Sequence, residues 1–254
     1  MMNRRTLLSA LLLAPGCAAL PAWARNERIY AVVVGDSIAE GEIQRKGRLN
    51  VQGQFVPDYP SNPGQLSYEL ARYSGVFHFN HGIGGQMSAQ VRARWRRDVL
   101  AEEYDPGDGR GARTLPAGTR PSLAYLHVGI NDVAVGMVPL QTLQDNFTYF
   151  AQTTAKLGIP LVVDNIGAYL GMTPPMIEVT RAFNDWLLHE LPRQYPHVRV
   201  VDYLYWSSGG TNDFLKLAPG LFADGVHPNI AGYTAFAAYI HETLKLPAGA
   251  AVRY

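Results

Sequence analysis

The chain has 254 residues, of which 47% are hydrophobic and 17% are charged. This composition is typical of a globular protein with a large buried core, and it excludes an extended disordered chain. The 22 Lys and Arg residues against 21 Asp and Glu give a formal net charge of +1. A balance so close to neutrality gives no reason to expect a nucleic-acid partner or an acidic membrane surface, and we predict neither.

The first 24 residues have the pattern of an export signal. Arg4 and Arg5 form a basic start, Leu7–Leu13 is a short apolar core, and Ala22-Trp23-Ala24 is an A-x-A cleavage site. The apolar core is shorter than the ~20 residues of a membrane-spanning helix, so we predict no membrane span. The paired arginines followed by "TLL" resemble a twin-arginine signal, although an ordinary secretory signal fits equally well. Either signal predicts a periplasmic or secreted protein.

Cys17 is the single cysteine of the sequence, and it lies inside the predicted signal. Removal of the signal would leave a mature chain with no disulfide, no thiolate nucleophile and no cysteine metal site. The stretch "LAPGC" has a faint likeness to a lipobox, with its leucine one place too far from the cysteine. Lipid anchoring at Cys17 is therefore the alternative to full release from the membrane.

Five short runs rich in apolar residues are predicted to be β-strands. Most of them are continuously apolar rather than alternating, which is typical of strands that are covered on both faces. The runs are Arg28–Val34, Val76–Asn80, Ser122–Val128, Leu161–Asn165 and Val198–Asp202.

Helical patterns separate these strands. Apolar residues spaced three and four apart recur in Leu140–Phe150 and in Met176–Trp186, and further helices are predicted at Pro63–Tyr73 and Ile230–Leu244. Alternation of strands and helices favours parallel strands joined by right-handed crossovers. We therefore predict that residues 25–254 form a single α/β domain of three layers, with a five-stranded parallel sheet between two layers of helices.

Two long segments do not fit the regular alternation. Glu42–Asn62 is polar and directly follows the turn after the first strand, and we predict that it forms a pocket wall or lid. Asp105–Pro121 is rich in Gly, Pro and Arg, and we predict a mobile surface insertion.

Glycine-rich and polar stretches follow the predicted strands. In an open parallel sheet, ligands bind beyond the carboxyl ends of the strands, so we expect these stretches to lie along one edge. They are "GDS" at 35–37, "NHGIGGQ" at 80–86, "GIND" at 129–132, Asp164-Asn165 and, after the last strand and a long loop, "DGVHPNIAGY" at 224–233.

These stretches supply the parts of an acyl-transfer site. A serine hydroxyl such as that of Ser37 becomes a strong nucleophile only when a base removes its proton. The spacing of Asp224 and His227 would let the carboxylate hold one imidazole nitrogen while the other faces the serine. The backbone N–H groups of Ser37 and Gly85, together with the side-chain amide of Asn131, would donate to the oxyanion.

Four of the stretches resemble the signature blocks of the SGNH (GDSL-type) hydrolases, and they occur in the order found in that family. The resemblance implies a flavodoxin-like fold and an esterase that acts through an acyl-serine intermediate without a metal or organic cofactor. It also implies that Ser37 is the nucleophile, that Gly85 and Asn131 bind the oxyanion, and that Asp224 and His227 are the acid and base.

The resemblance leaves the substrate open. The segment Glu42–Asn62 is longer than the corresponding loop in compact members of the family. Gly84 occupies a position at which the family has other small residues. Because that long segment is less apolar than a lipid-binding lid, we favour O-acetyl groups on carbohydrate as the substrate. The alternatives are a short-chain lipid or aryl esterase, a lysophospholipase, and a non-catalytic polysaccharide-binding protein of the same fold. Transfer of the acyl group to an alcohol other than water would use the same residues.

Other interpretations of single motifs are less favourable. "GIGG" is not a dinucleotide fingerprint, because that motif needs a further glycine at Met87. The sequence also lacks the G-x-S-x-G motif of the α/β-hydrolases, which argues against that architecture. Six histidines lack any metal-binding spacing and are interpreted as structural or surface groups, with His81 of interest because it lies beside the oxyanion stretch. They are His78, His81, His127, His189, His197 and His241.

Two further features have ordinary explanations beside functional ones. Arg92 and Arg96 lie four apart on a predicted helix, which favours a solvated face over a contact with an anionic polymer. Tyr203, Tyr205 and Trp206 follow the fifth strand, where aromatic rings either stack on a sugar or pack against the core.

Overall fold

The computed structural model describes residues 29–41, 47–49, 55–57 and 62–245. The predicted signal at 1–24, with Cys17, lies outside the described residues. Five of the described strands form one parallel sheet in the order β4-β1-β5-β6-β7. These strands are β1 (Tyr30–Gly35), β4 (Phe77–Gly82), β5 (Ala124–His127), β6 (Leu161–Asp164) and β7 (Val198–Val201).

The sheet confirms the predicted fold class and all five predicted strands. Every residue of β1 is buried, because β4 and β5 pair with its two edges and helices cover its two faces. Such a strand exposes no side to water, which explains why it reads as a continuous apolar run. The order corresponds to the flavodoxin-like arrangement, in which the second strand lies on one side of the first strand and the later strands are added on the other side.

Helices connect the strands. The longer helices are α2 (Leu66–Ser74), α3 (Ser88–Asp98), α5 (Leu140–Leu157), α6 (Pro174–His189) and α9 (Ile230–Leu244). The shorter helices are α1 (Ser37–Glu40), α4 (Ile130–Ala134), α7 (Leu191–Gln194) and α8 (Tyr203–Ser207).

The helices form two groups around the sheet. In one group α2 packs against α9, and in the other α3, α5 and α6 pack in sequence. Aromatic contacts join the second group, with ring centroids 4.4 Å apart between Trp95 and Phe150 and 4.9 Å apart between Phe147 and Phe183. Phe147 and Phe150 belong to the apolar stripe that predicted this helix, and both are buried. Among the described residues, no helix is long and apolar enough to cross a membrane.

The Glu42–Asn62 segment contains regular structure that we did not predict. Its strands β2 (Gly47–Leu49) and β3 (Phe55–Pro57) pair antiparallel, with Arg48 opposite Val56. These six positions therefore form a short antiparallel pair outside the five predicted strands. The remainder of the segment up to position 61 lies outside the described residues, so the proposed pocket wall or lid stays a prediction.

The Asp105–Pro121 segment is attached to the body of the protein. The guanidinium of Arg97, on α3, is buried and donates to both carboxylate oxygens of Asp108 at 2.6 Å. Asp98 accepts a hydrogen bond from Thr114 Oγ1 at 2.9 Å, and Leu115 is buried in the core. The prediction of a mobile insertion overlooked these anchors. In contrast to the buried Arg97, Arg92 and Arg96 on the same helix are exposed, as predicted.

Loss of the Asp108 anchor should loosen this segment. We expect Asp108→Ala to accelerate tryptic cleavage after the arginines of the segment several-fold, since the local hydrogen bonds that hold it closed are lost. Asp105→Ala is the matched control, because the hydrogen bond that Asp105 accepts comes from Gly107 within the same exposed loop. Gel electrophoresis after digestion of the native proteins measures the cleavage rates. Equal rates for the two variants would contradict the anchoring.

Candidate active site

Ser37 lies at the carboxyl edge of the sheet, directly after β1. It is the first residue of α1, and Asp36 is the N-cap, whose Oδ1 accepts from the backbone N–H of Ile38 at 3.0 Å. The cap explains why an aspartate follows the strand and glycine, since its side chain satisfies a free N–H at the start of the helix. Ser37 is therefore held on a rigid turn with only 6% of its surface exposed.

His227 joins Ser37 to Asp224. The Nε2 atom of His227 lies 2.8 Å from Ser37 Oγ, and its Nδ1 atom lies 2.8 Å from Asp224 Oδ2. With the imidazole proton on Nδ1, the histidine donates to the carboxylate and accepts from the serine hydroxyl. The structure thus brings together three side chains that the sequence separates by up to 190 positions.

The loop that carries His227 is held from several sides. The other carboxylate oxygen of Asp224 accepts from the backbone N–H groups of Val226 and His227 at 2.8 and 2.7 Å. Partial burial raises the pKa of Asp224, but the hydrogen bonds from His227 and Val226 outweigh it and lower that pKa overall. Asn229 caps α9, and Tyr233 donates from its hydroxyl to the carbonyl of Ile38 at 2.9 Å. The carboxylate therefore stays ionised while it orients the imidazole.

Gln86 connects Gly85, which precedes it in the chain, with Asn131, which donates a hydrogen bond to it. Gly85 has a φ of +74°, a left-handed conformation that glycine adopts without strain. The side-chain amide of Asn131 donates from Nδ2 to the carbonyl oxygen of Gln86 at 3.1 Å. The neighbouring Asp132 is buried and accepts from the N–H and hydroxyl of Ser88 at 2.8 and 2.5 Å, which joins α4 to the start of α3. A hydrogen bond to Gln86 thus connects Asn131 to the turn that contains Gly85.

A buried polar cluster that sequence reasoning missed lies beneath Ser37. The Nδ1 atom of His127 lies 2.6 Å from Asp164 Oδ2, and the hydroxyl of Tyr125 donates to Asp164 Oδ1 at 2.5 Å. Burial lowers the pKa of His127, but its contact with Asp164 outweighs burial and raises it. The available signal was the i, i+2 spacing of Tyr125 and His127, which places both side chains on one face of β5.

Asp36 belongs to the same region. Its Oδ2 atom is buried and has no hydrogen-bond partner among the described residues. Burial raises the pKa of Asp36 to about 6, although the nearby charge of His127 lowers it in part. Ionisation of this group in the folded protein is therefore costly.

His81 takes no direct part in this arrangement. Its ring is buried, and its Nδ1 atom lies 3.6 Å from Asp98 Oδ1. Burial lowers the pKa of His81 to about 4, so the ring is neutral near pH 7. Its backbone carbonyl, rather than its ring, is tied to α3 through Arg94 at 2.8 Å.

The fold and the site define a class of protein. A serine hydroxyl that contacts an imidazole, itself held by a carboxylate, is the arrangement of a serine hydrolase. Residues 33–235 match the model of the GDSL-like lipase/acylhydrolase family. The chain belongs to this family, which confirms the resemblance drawn from the sequence, and it is an ester-hydrolysing serine hydrolase.

Solved structures share the fold at low identity. One is described as a lipolytic protein of the G-D-S-L family from Desulfitobacterium hafniense, with 20% identity, a TM-score of 0.60, and coverage of 84% of this chain and 98% of that one. Another is Axe2, an acetylxylan esterase from Geobacillus stearothermophilus, with 19% identity, a TM-score of 0.58, and coverage of 89% and 97%. TesA has 22% identity, a TM-score of 0.55, and coverage of 85% and 98%. No protein of curated function matches the sequence.

The buried Asp36 should make stability depend on pH. A carboxyl whose pKa is raised on folding binds more protons in the folded state, so stability falls as pH rises from about 4 to about 6. Asp36→Asn keeps the capping oxygen and removes the charge. We expect this variant to gain about 3 kcal/mol over the wild type at pH 8 and nothing at pH 4, since each pKa unit corresponds to about 1.4 kcal/mol.

Urea denaturation from pH 4 to pH 8 measures this difference. Asp145→Asn is the control, because Asp145 is exposed on α5 and should show no such trend. A gain for Asp36→Asn that is equal at the two ends of the range would contradict the role of the buried charge.

Proposed function

We propose that the protein is an exported carboxylic-ester hydrolase in which Ser37 is the nucleophile, and the 2.8 Å contact between Ser37 Oγ and His227 Nε2 carries this proposal. His227 removes the hydroxyl proton as Ser37 attacks the ester carbonyl, and then gives that proton to the leaving alcohol. In the second half of the reaction water attacks the acyl-serine while His227 takes its proton, and His227 returns that proton to Ser37 Oγ as the bond to the acyl group breaks and the carboxylic acid leaves. Asp224 holds the imidazole in the required tautomer.

The oxyanion is proposed to be bound by three donors. These are the backbone N–H groups of Ser37 and Gly85 and the side-chain amide of Asn131. An added Cβ at Gly85 would meet nothing within 4 Å, which is consistent with open space for a substrate at that turn. Preorganised donors of this kind stabilise the charge that develops in the tetrahedral intermediate. The mechanism draws on side chains and backbone alone.

A small cavity supports a short acyl group. Its volume is about 10 Å³, comparable with one water molecule. The walls include Ile38, Ile130 and Val226, each of which is the chain neighbour of a proposed catalytic or oxyanion residue. Polar side chains such as those of His127 and Asn165 also line it. A cavity so placed and so small suits the methyl group of an acetyl ester.

Carbohydrate is the proposed alcohol. The export signal predicted at 1–24 would deliver the enzyme to a compartment where polysaccharides are found, and Axe2, which shares the fold, is an acetylxylan esterase. Tyr205 on α8 is 45% exposed and offers a ring for stacking on a sugar. Tyr203 is buried against Trp206, with ring centroids 5.4 Å apart, and belongs to the core. These observations favour O-acetyl groups on carbohydrate as the substrate.

A short-chain lipid or aryl ester, including a lysophospholipid, is the second candidate. Val135 and Met137 follow α4, which carries Asn131, and their exposed fractions are 68% and 80%. Apolar side chains this exposed near an active site would suit an apolar alcohol or acyl chain.

Substitutions at the proposed catalytic residues test the chemistry. Ser37→Ala should abolish both hydrolysis of p-nitrophenyl acetate and labelling by a fluorophosphonate, because no other group would form the acyl-enzyme. Asn131→Ala should reduce kcat by about 10²- to 10³-fold through loss of one oxyanion donor. Ser122→Ala is the control, since Ser122 is exposed and precedes β5 at its amino end. Wild-type turnover by Ser37→Ala would rule out the proposed nucleophile, and a protein that never labels would indicate a non-catalytic binding role.

The acyl cavity yields a separate expectation. Val226→Ala should raise the ratio of butyrate to acetate turnover, in kcat/KM, by about 10-fold, because the wall of the cavity recedes by two methyl groups. Val135→Ala removes an exposed side chain outside the cavity and should leave the ratio unchanged. An unchanged ratio in Val226→Ala would show that the acyl group binds elsewhere.

The alcohol is tested by product release from the purified enzyme. Acetylated xylo-oligosaccharide, acetylated chitin fragments and a lysophospholipid would be offered at equal ester concentration. We expect acetate from the xylo-oligosaccharide to exceed fatty acid from the lysophospholipid. The reverse order would favour the lipid candidate.

A further inference from the structure

Gln86 occupies a central place among the proposed oxyanion donors. It follows Gly85 directly, and its backbone carbonyl accepts from Asn131 Nδ2 at 3.1 Å. Its side-chain Oε1 accepts from Arg94 Nε at 2.8 Å. The backbone N–H of Gln86 donates to Ile83 at 3.3 Å, which closes the turn that contains Gly85. One residue thus connects the oxyanion turn, the Asn131 amide and α3.

The partner of that side chain is itself buried and paired. The guanidinium of Arg94 is 2% exposed and is paired with Asp98 Oδ2 at 2.8 Å. It also donates to the carbonyl of Gly35 at 3.0 Å and to that of His81 at 2.8 Å. Gly35 immediately precedes the Asp36-Ser37 turn. Arg94 therefore fixes the nucleophile turn and the side chain of Gln86 from the same buried position.

We propose that Gln86, held by Arg94, is a positioning residue that orients the side-chain amide of Asn131 for the oxyanion. This inference rests on the proposed function of Asn131. An amide group has two N–H bonds in one plane, so a hydrogen bond from one of them to Gln86 sets the direction of the other. Asp132 already holds the backbone of α4 through Ser88, and Gln86 supplies the restraint that the side chain of Asn131 needs.

The test must separate positioning from stability. Arg94 is unsuitable, since its removal would leave Asp98 with one fewer partner for its buried charge. Gln86→Met keeps the length of the side chain and removes the acceptor for Arg94 Nε. Gln141→Met is the matched control, because Gln141 is exposed at the start of α5. Thermal unfolding reports whether each variant keeps its fold.

The expected result is a specific loss in turnover of p-nitrophenyl acetate. We expect Gln86→Met to lower kcat by about 10-fold with KM within about twofold, a smaller loss than removal of the donor itself, because the amide is misdirected rather than absent. Gln141→Met should match the wild type. The double variant of Gln86→Met with Asn131→Ala should be no slower than Asn131→Ala alone, within about twofold, because Gln86 acts through Asn131.

Each contrary result has a distinct meaning. Wild-type kcat in Gln86→Met, with Asn131→Ala impaired, would overturn the positioning role and leave the proposed function intact. Losses that multiply in the double variant would also overturn it, since Gln86 would then act independently of Asn131. Wild-type kcat in Asn131→Ala would overturn the oxyanion role on which the inference rests.

Discussion

Close approach of backbones at the carboxyl edge of the sheet is the constraint on which the site depends. A Cβ at Gly35 would lie 1.7 Å from the carbonyl oxygen of His127, and one at Gly82 would lie 2.0 Å from the backbone nitrogen of Glu40. Only glycine permits these contacts, which draw the ends of β4, β1 and β5 against α1. Because the strands are parallel, the segments that follow them emerge side by side, and residues distant in the sequence share one rim.

Buried charge holds that rim in place at some expense of stability. Asp36, directly before the proposed nucleophile, lies near the pair formed by His127 and Asp164. The pair formed by Arg94 and Asp98 lies next to the proposed oxyanion turn. Removing such groups from water is unfavourable, and pairing only partly compensates. A purely apolar core would pack as tightly, but it would not offer the hydrogen bonds that Arg94 donates to the carbonyls of Gly35 and His81 at the ends of two strands. The polar groups thus give the turns defined positions that apolar packing alone would leave loose.

The sequence predicted what depends on pattern and missed what depends on distant partners. Strands such as β1 were recognisable because burial on both faces removes polar residues from the run. Most of the proposed site stretches were recognisable because they directly follow a strand, whereas Asp224 and His227 come after a long loop. The pairing of β2 with β3 gave no such signal. Arg92 and Arg97 are the same residue type on one helix, yet only Arg97 is buried, because its partner Asp108 lies in a later loop. Periodicity cannot reveal a partner outside the helix.

The proposed site divides its parts between rigid and exposed elements. Ser37 is buried on a capped helix, whereas the side chain of Asp224 is 46% exposed on a loop. That loop is nevertheless fixed, because Leu170 donates from its backbone N–H to Gly225, and Tyr233 ties α9 to α1. Three residues that line the proposed acyl cavity are chain neighbours of proposed catalytic or oxyanion residues, so their backbones are fixed with the site while their side chains contribute to the size of the cavity. Substitution of those side chains is therefore a route by which acyl preference can change while the hydrogen bonds of the proposed mechanism remain in place.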